Sequence, residues 1–369
     1  MSTEILFLPF EQVKNFIFDT FSKCGVPIED SKICTEVLIS SDLRGIESHG
    51  ISRLRMYYDR LKKGLQKPIT NIQIVRESLT TAVVDGNHGM GMVIGVKSMQ
   101  IAIDKARQYG MGSVAVRNST HFGIDGYYAL MAVKADMIGM SFTNARPAVS
   151  PTFGTQPMLG TNPIAFGAPT DEECPFLFDA ATSITQRGKI EVLAREEKPV
   201  PEGWVIDKNA NSMKNADSIL AGLTTDKAAL LPLGGINEMT GGHKGYGLSL
   251  MVEILSSALQ NGAFLQGLSG YDIDGNPAPF QVGHFFMAIN INAFRPVIDF
   301  KKQLDNMIKL LKNSPKAAGL DRIYIAGEKE FETAKYNEKY GVPMLKKVIE
   351  NLKKDGERIG VTFDIKPLM

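Results

Sequence analysis

The sequence predicts an α/β protein whose amino-terminal and carboxyl-terminal parts are helical. Apolar residues recur at helical spacing up to about residue 63 and again after residue 300. Between these parts, from about residue 72 onward, short β-branched runs alternate with helical patterns. Such alternation is typical of a layer in which helices cover a sheet.

The amino-terminal part has the clearest helix signals. Phe10–Lys23 carries apolar residues at helical spacing, with Pro9 before it and Gly25 after it. Two further helices and their boundary residues are predicted as Ile28–Leu43 ended by Gly45, and Ser52–Lys63 capped by Ser52 and closed by Gly64.

The remaining elements follow from the same periodicities. We expect strands around Ile72 and Ile74 and over Thr81–Val84, Ser113–Arg117, Ile138–Thr143, Phe176–Phe178 and Phe285–Ile291. Helices are expected over Gly91–Tyr109, Gly126–Ala135, Leu248–Leu259, Phe300–Lys312 and Lys329–Lys354. Pro147–Pro169 is rich in turn residues, which is typical of a functional or mobile loop. The polar segment Glu196–Ser218 is interpreted as a surface excursion.

Composition excludes several classes of protein. Hydrophobic residues make up 44% of the 369 residues and charged residues 22%, which is ordinary for a globular chain. Lys plus Arg (41) nearly balances Asp plus Glu (40), so nucleic acid is not an expected partner. The apolar run Ile5–Phe10 is too short for a membrane span or a signal-peptide core. Three scattered cysteines without a Cys-x-x-Cys pair predict reduced thiols and a cytoplasmic protein.

The segment from Asp42 to Lys63 gathers polar side chains suited to chemistry. Ser48 and His49 are expected on a short turn, and Arg53 and Tyr57 share one face of the helix behind it. A guanidinium fork can hold a carboxylate while an imidazole moves a proton beside it. A histidine before a glycine can equally be a plain surface or capping residue, and the pattern leaves both roles open.

A second histidine, His121, falls between a predicted strand and a predicted helix. In α/β proteins this is the carboxyl end of the sheet, where ligands collect. A nearby helix N-terminus favours the neutral imidazole that a general base requires. The alternative is a loop histidine that caps the next helix.

Other motifs predict less. Gly89, Gly91 and Gly95 resemble a Rossmann fingerprint, but the last spacing is one residue too long. Gly241–Gly247 with Lys244 could hold a phosphate or a carbonyl oxygen, or its glycines could serve close packing only. The five histidines show no i, i+4 pair, so we expect no metal site. A serine nucleophile is also disfavoured, because an imidazole on the adjacent residue is not expected to activate a serine hydroxyl.

Several motifs together resemble one known family, the malate/L-lactate dehydrogenase family that is unrelated to the Rossmann dehydrogenases. The segments that carry the resemblance are Arg44–Gly50 with Arg53, Asn118–Gly123, Gly160–Pro163, Asp179–Ser183, Arg187–Lys189 and Lys244–Gly247. The family includes archaeal malate and sulfolactate dehydrogenases, ureidoglycolate dehydrogenase, diketogulonate reductase and cyclic imine reductases.

The resemblance implies a fold and an assembly. It implies a central α/β domain of non-Rossmann type around a mixed sheet that binds NAD(P), over residues 76–295. It also implies a discontinuous helical domain built from residues 1–75 and 296–369. The resemblance also implies a homodimer with an active-site cleft that both subunits help to form.

Site residues are implied in the same way. His121, His49 and Ser48 resemble the catalytic set, and the proton acceptor is left open between the two histidines. Arg53 and Tyr57 resemble the substrate-binding set. Residues in positions that hold the dinucleotide are His121, Asn144, Asp179, Ala180, Ala181, Lys244 and Gly245.

The expected substrate is a small 2-hydroxy or 2-keto acid, with malate and oxaloacetate first. The resemblance places a Gly-Asp pair in imine-reducing relatives at the position where this chain has Gly188-Lys189. Lactate, sulfolactate or ureidoglycolate are the alternatives within the family, and a non-catalytic ligand-binding protein is a third. A second substrate carboxylate could meet Arg44, Arg55 or Arg117. The cofactor is NAD or NADP, with NAD favoured.

Overall fold

The structure, a computed structural model, describes residues 4–368 and confirms the α/β class. A mixed sheet of seven strands lies at its centre, with helices packed on it. The outermost residues of the predicted helical domain, 1–3 and 369, lie outside the described residues, and the domain boundaries stay a prediction.

Strands and helices alternate through much of the described chain. The strands are β1 Ile5–Leu8, β2 Gln73–Glu77, β3 Thr81–Asp85, β4 Met111–Ser119, β5 Met137–Thr143, β6 Ile164–Ala168, β7 Phe176–Ala180, β8 Val205–Asp207, β9 Ala228–Leu230, β10 Val282–Asn290 and β11 Val342–Leu345. The α-helices are α1 Phe10–Lys23, α2 Ile28–Leu43, α3 Leu54–Lys62, α4 Gly91–Tyr109, α5 Gly126–Val133, α6 Arg187–Arg195, α7 Ala216–Thr224, α8 Gly242–Ser256, α9 Val297–Asn313, α10 Glu328–Tyr340 and α11 Lys346–Ile359. Short 3₁₀ helices cover Ile51–Arg53, Ala258–Gln260, Leu265–Leu268 and Ile291–Ala293.

The central sheet has the strand order β2-β3-β4-β10-β5-β6-β7. Only the pair β3 and β4 is parallel, and the other neighbours are antiparallel. Strand β10 therefore separates β4 from β5, and these two strands run in the same direction. The carboxyl ends of β4 and β5 consequently meet at one edge of the sheet.

That edge collects the segments singled out in the sequence. The register aligns the strand ends there through the pairs Ser119 with Val282, His284 with Thr143, Phe142 with Ile164, and Ile164 with Ala180. His121 follows β4, Asn144 follows β5, and Ala181 follows β7 at this edge. Sheet topology thus brings together residues that are far apart in the chain.

The first three helices were predicted correctly, but the end of the chain was not. The single helix expected over Lys329–Lys354 is two helices, because Gly341 at φ +98° and Pro343 interrupt the helical path. The interrupting segment forms β11, which pairs antiparallel with β1. Leu8 and Val342 face each other in this pair, and both are fully or almost fully buried. The two ends of the chain therefore share one hydrophobic core.

Two local interpretations are corrected. The segment Glu196–Ser218 is not a plain surface excursion, because Val205 and Ile206 are buried and β8 pairs with β9. Ser52 does not cap the third helix, since its hydroxyl donates to the Glu47 carbonyl and a 3₁₀ turn precedes α3.

The glycines at the start of α4 serve close packing. A Cβ atom on Gly91 would overlap the carbonyl oxygen of Thr120, and one on Gly95 would lie 2.6 Å from the Tyr128 ring. Helix α4 can therefore approach β4 and α5 closely, which explains the spacing without a dinucleotide. No helix of residues 4–368 is long and apolar enough to cross a membrane.

Candidate active site

A cavity of about 1140 Å³ opens at the edge where β4, β5 and β7 end. Its wall includes both predicted imidazoles, His49 and His121, together with Ser48. Candidate cofactor residues that also line it are Asn144, Asp179, Ala180 and Ala181. The structure therefore joins most of the predicted site in one place.

The turn that carries Ser48 and His49 is held from below by Asp42. Gly45 follows α2 at φ +73° and ends it, as predicted. The Asp42 carboxylate accepts a hydrogen bond from the backbone N–H of Ile51 at 2.7 Å. A Cβ atom on Gly50 would overlap that carboxylate. Only glycine at position 50 lets the turn close over Asp42.

The side chains of Ser48 and His49 contact each other despite being adjacent in sequence. Ser48 Oγ lies 2.8 Å from His49 Nδ1, so adjacency in the chain does not keep the hydroxyl and the imidazole apart. Burial, followed by the charge of Arg53, lowers the pKa of His49 to about 4. His49 is therefore neutral at pH 7, and its Nε2 is left for a ligand.

His121 is fixed through its Nδ1 atom. The hydroxyl of Tyr57 lies 2.6 Å from that nitrogen, and the backbone nitrogen of Gly123 lies 3.3 Å from it. The His121 ring stacks on His49 at 5.7 Å between centroids and 20° between planes. Burial, followed by the charges of His49 and Arg60, holds the pKa of His121 well below its ordinary value. The predicted neutral imidazole thus results mainly from burial rather than from a helix N-terminus.

Arg53 and Tyr57, the two residues expected to bind substrate, lie next to the cavity but are not part of its wall. Tyr57 is fully buried, so it supports His121 instead of facing the cavity. Arg53 donates from Nε to the Ser48 carbonyl at 2.5 Å and lies 3.7 Å from a Glu191 carboxylate oxygen. It thereby ties α3 to the catalytic turn.

The guanidinium groups on the wall near the histidines are those of Arg60 and Arg146. Sequence reasoning did not single out either residue. Arg60 is three residues after Tyr57 and seven after Arg53, a spacing that places all three on one helix face. That spacing is the signal that could have found Arg60.

The three arginines expected to reach a second carboxylate are placed differently. Arg44 lines the cavity. Arg55 is exposed and lies 3.7 Å from both Asp59 and Asp355, while Arg117 pairs with Asp85 at 2.9 Å. Arg55 and Arg117 are outside the wall, so those two interpretations are corrected.

The other end of the cavity is acidic. Asp179 accepts a hydrogen bond from the N–H of Gly126 at 2.7 Å, and its enclosure raises its pKa to about 6. Asp125 accepts a hydrogen bond from the Ser141 hydroxyl. Burial and the neighbouring Asp179 raise the pKa of Asp125 well above its ordinary range. Both effects favour the protonated form of Asp125.

Asn144 links three elements under the cavity. Its Oδ1 accepts from the Gly283 N–H at 2.8 Å, and its Nδ2 reaches Glu253 at 3.4 Å and the Ala263 carbonyl at 3.3 Å. Asn144 is 1% exposed and its side chain is fully engaged, so it stabilises the wall from within.

Lys244 and Gly245 are the predicted cofactor residues that the structure does not bring to the wall. Gly245 packs against the backbone of Leu233, which lines the cavity, and Lys244 is exposed one residue earlier on α8. Gly188 and Lys189 do line the cavity, and a Cβ atom on Gly188 would lie 2.8 Å from Ser48 Cβ.

A buried histidine missed by sequence reasoning supports the site from within the sheet. His284 on β10 contacts Thr143 Oγ1 at 2.8 Å and Ser119 Oγ at 2.7 Å, so it bridges the ends of β5 and β4. Its ring stacks on Phe122 at 4.2 Å. Burial lowers the pKa of His284 to about 3 and keeps it neutral. This stack fixes the residue next to His121.

The acidic end fits a ligand that carries hydroxyl groups. Asp125 Oδ2 is buried and has no hydrogen-bond partner among the described residues. Asp179 presents its carboxyl group to the same cavity. An unpartnered carboxyl oxygen and a neighbouring carboxylate suit the sugar hydroxyls of a dinucleotide.

Comparison with known proteins identifies the family of the chain. A family model described as malate/L-lactate dehydrogenase matches residues 8–353. A malate dehydrogenase of Pyrococcus abyssi is 46% identical over 354 residues, which cover 96% of this chain and 95% of that protein. An L-sulfolactate dehydrogenase of Methanocaldococcus jannaschii is 39% identical over 357 residues, covering 96% and 97%.

Solved structures show the same relationship. The crystal structure of malate dehydrogenase from Entamoeba histolytica superposes with a TM-score of 0.94 at 42% identity and covers 98% of this chain and 100% of that chain. Sequence, fold and site geometry therefore lead to one conclusion. The chain belongs to the malate/L-lactate dehydrogenase family, as its motifs predicted, and is an NAD(P)-dependent dehydrogenase.

Proposed function

We propose that the protein interconverts malate and oxaloacetate with NAD or NADP as cofactor. The observation that carries this proposal is the His121 imidazole, neutral and fixed at Nδ1, on a wall that also bears the guanidinium groups of Arg60 and Arg146. Such a wall can hold an acid and move a proton beside it. The relatives named as malate dehydrogenases support this substrate pair.

The nicotinamide ring of the bound cofactor accepts or supplies the hydride in this reaction. Residues that would hold the dinucleotide are Asn144, Asp179, Ala180 and Ala181 on the wall, with Asp125 beneath them. NAD is the first cofactor to test, because Asp179 offers a carboxylate to the ribose hydroxyls, whereas Arg44 and Lys329 on the same wall could meet a 2′-phosphate. Lys244 and Gly245 would support the cofactor from α8 rather than from the wall.

His121 is the group that takes the hydroxyl proton during oxidation. Its Nδ1 is engaged by Tyr57, so Nε2 is the nitrogen left for the substrate oxygen. For Nε2 to take a proton, the neutral ring must carry its hydrogen on Nδ1, so the Tyr57 oxygen accepts from Nδ1 both before and after the transfer. Burial raises the pKa of Tyr57, and the phenol stays neutral throughout.

His49 and Ser48 then orient the substrate from the opposite side. The two imidazole rings lie nearly parallel, and His49 keeps its own Nε2 free while Ser48 holds its Nδ1. Arg53 fixes this turn through the Ser48 carbonyl and so positions Ser48 and His49 for the substrate.

A 2-hydroxy acid fits the wall better than a cyclic imine does. Lys189 lines the cavity. At this position the family resemblance places an aspartate in imine-reducing relatives, where it supports protonation of the amine. A sulfonate could replace one carboxylate on the same arginines, so sulfolactate is the second candidate, in keeping with the Methanocaldococcus relative. Lactate and ureidoglycolate remain less favoured, and a non-catalytic role leaves the two fixed imidazoles unexplained.

We also propose a homodimer formed through α8. One face of this helix is buried, whereas Leu250, Met251 and Ile254 on the other face are 38%, 40% and 50% exposed. An apolar helix face of this kind usually covers a partner surface. A second copy of the chain is the proposed occupant, and a cytoplasmic location stays a prediction.

The interface can be tested by charge substitution. In Ile254→Glu, the added carboxylate would be buried against the partner, so we expect a shift from dimer to monomer in sedimentation velocity. Ile298→Glu is the matched control, because Ile298 is similarly exposed at 52% but lies on α9. An unchanged sedimentation coefficient in Ile254→Glu, with a dimeric wild type, would place the interface elsewhere.

The activity is tested by initial rates with NADH and NADPH, side by side, on oxaloacetate, pyruvate, sulfopyruvate, 2-oxoglutarate and oxalurate. We expect the fastest reduction with oxaloacetate and NADH. Turnover of a cyclic imine with none of these keto acids would overturn the proposal. A higher rate with NADPH than with NADH would reverse the cofactor preference while leaving the substrate assignment intact.

Removing the acid/base should slow turnover and spare cofactor binding. We expect His121→Ala to lower kcat by about two to four orders of magnitude, the usual contribution of general acid/base catalysis. NADH fluorescence should show binding close to that of the wild type. His49→Ala should lose less. The reverse ranking of the two variants would transfer the proton-transfer role to His49.

The support from Tyr57 should appear in the pH profile. The phenol oxygen can accept from a protonated Nδ1, so Tyr57→Phe destabilises the imidazolium and lowers the pKa of His121 further. Loss of one hydrogen bond of about 1 kcal/mol predicts about a fivefold to tenfold lower rate of reduction at pH 7. The acidic limb of the oxidation profile should move to lower pH. If Tyr57→Phe lowered only the stability of the protein and left the pH profiles of oxidation and reduction unchanged, this role would be contradicted.

A further inference from the structure

We propose that Arg60, assisted by Arg146, forms a subsite for the second acid group of a dicarboxylate substrate. This inference rests on the proposed function and deepens it, because it names the contact that separates malate from lactate. Sequence alone left this position open between Arg44, Arg55 and Arg117. Arg55 and Arg117 lie outside the wall, and Arg44 lines it at the end where Asp179 and Glu330 lie. Arg60 is the arginine of the wall next to His121.

The first support is the position of Arg60 on α3. Arg53, Tyr57 and Arg60 lie on one face of this helix, at intervals of four and three residues. Tyr57 contacts His121 directly, and Arg60 is about one turn further along. Arg60 lines the cavity together with His49 and His121. A ligand bound at the imidazoles therefore lies within reach of its side chain.

The second support is that the Arg60 guanidinium lacks an anionic partner. Within residues 4–368, Arg60 makes no ion pair and no side-chain hydrogen bond. Its contact is the ring of Phe280, 4.1 Å from the guanidinium carbon to the ring centroid. The two other arginines of this region differ, since Arg53 and Arg55 both lie near carboxylates. Among these three arginines, Arg60 alone keeps its fork available.

The third support is electrostatic. Arg53 and Arg146 both lower the pKa of Arg60 through their charge, after the larger effect of burial. Arg146 lines the same cavity and, within the described part of the chain, also has no carboxylate partner. Like charges held close together in a partly enclosed wall repel each other unless an anion lies between them. A ligand with two negative groups relieves this repulsion better than a ligand with one.

Phe280 prepares Arg60 for this task. A guanidinium that stacks on an aromatic face directs its N–H groups sideways, past the edges of the aromatic ring. They stay available to a ligand. Phe280 also lines the cavity, so the stacked plane borders the space where the substrate would lie. The reacting carbon then lies beside the imidazoles, and Arg60 serves the distal carboxylate. A sulfonate at the distal position would meet the same fork.

The experiment compares oxaloacetate with pyruvate, which lacks the distal carboxylate. The measured quantity is the ratio of kcat/KM for oxaloacetate to kcat/KM for pyruvate, in the wild type, Arg60→Gln, Arg60→Lys and Arg55→Gln. Arg55 is the matched control, because it is on the same helix but 61% exposed and outside the wall. NADH binding by fluorescence serves as a check on folding.

The expected result is a ratio about 100-fold lower in Arg60→Gln, the usual order for losing a charge-assisted pair with a ligand. Arg60→Lys should recover part of the ratio, since a point charge replaces the fork. Arg55→Gln should keep the wild-type ratio. Equal losses with both keto acids, or an unchanged ratio, would overturn the subsite. A wild type that reduces no 2-keto acid would instead overturn the proposed function itself.

Discussion

The contact between Tyr57 and His121 is the constraint on which the rest of the site depends. Tyr57 lies on a helix of the amino-terminal part, and His121 follows a central strand of the sheet. Their 2.6 Å contact is fully buried on the tyrosine side. Any movement of α3 relative to the sheet would break it and leave a buried phenol unpaired, at a cost of about 1–3 kcal/mol. Arg53 and Arg60 flank Tyr57 in the chain, so one contact fixes the position of α3 and its arginines relative to His121.

Neutral imidazoles among arginines are a consequence of this arrangement. Burial lowers the pKa of His49 and His121, and nearby guanidinium groups lower it further. A protonated ring would add one more positive charge to a wall that already contains Arg60. A bound acid supplies the compensating negative charge, so binding of substrate itself makes protonation of His121 less costly. Substrate capture and proton transfer are therefore coupled through charge.

Much of the fold follows from local patterns, and the site only partly. Helical spacing was enough to predict α1, and the glycine at position 45 was enough to predict the turn before His49. The structure has a positive φ angle at Gly45. The pairing of β1 with β11 joins residues more than 300 apart, and such long-range pairing leaves no local signal. Arg60 was not predicted as a site residue because charged residues on a helix usually face water. Its role follows only when the structure shows a guanidinium on the cavity wall without a partner among the described residues.

The cavity is also polarised from end to end. Arg60 and Arg146 lie near the imidazoles, whereas Asp125 and Asp179 lie where the loop into α5 meets the end of β7. An anionic acid is attracted to the first end, where two guanidinium groups face the cavity. A sugar hydroxyl finds a carboxylate and an unpartnered carboxyl oxygen at the second end. In the proposed reaction the acid would therefore lie beside His121 and the nucleoside beside Asp179. Because the rings and carboxyl groups hold this polarity before any ligand binds, orientation requires little rearrangement of the protein.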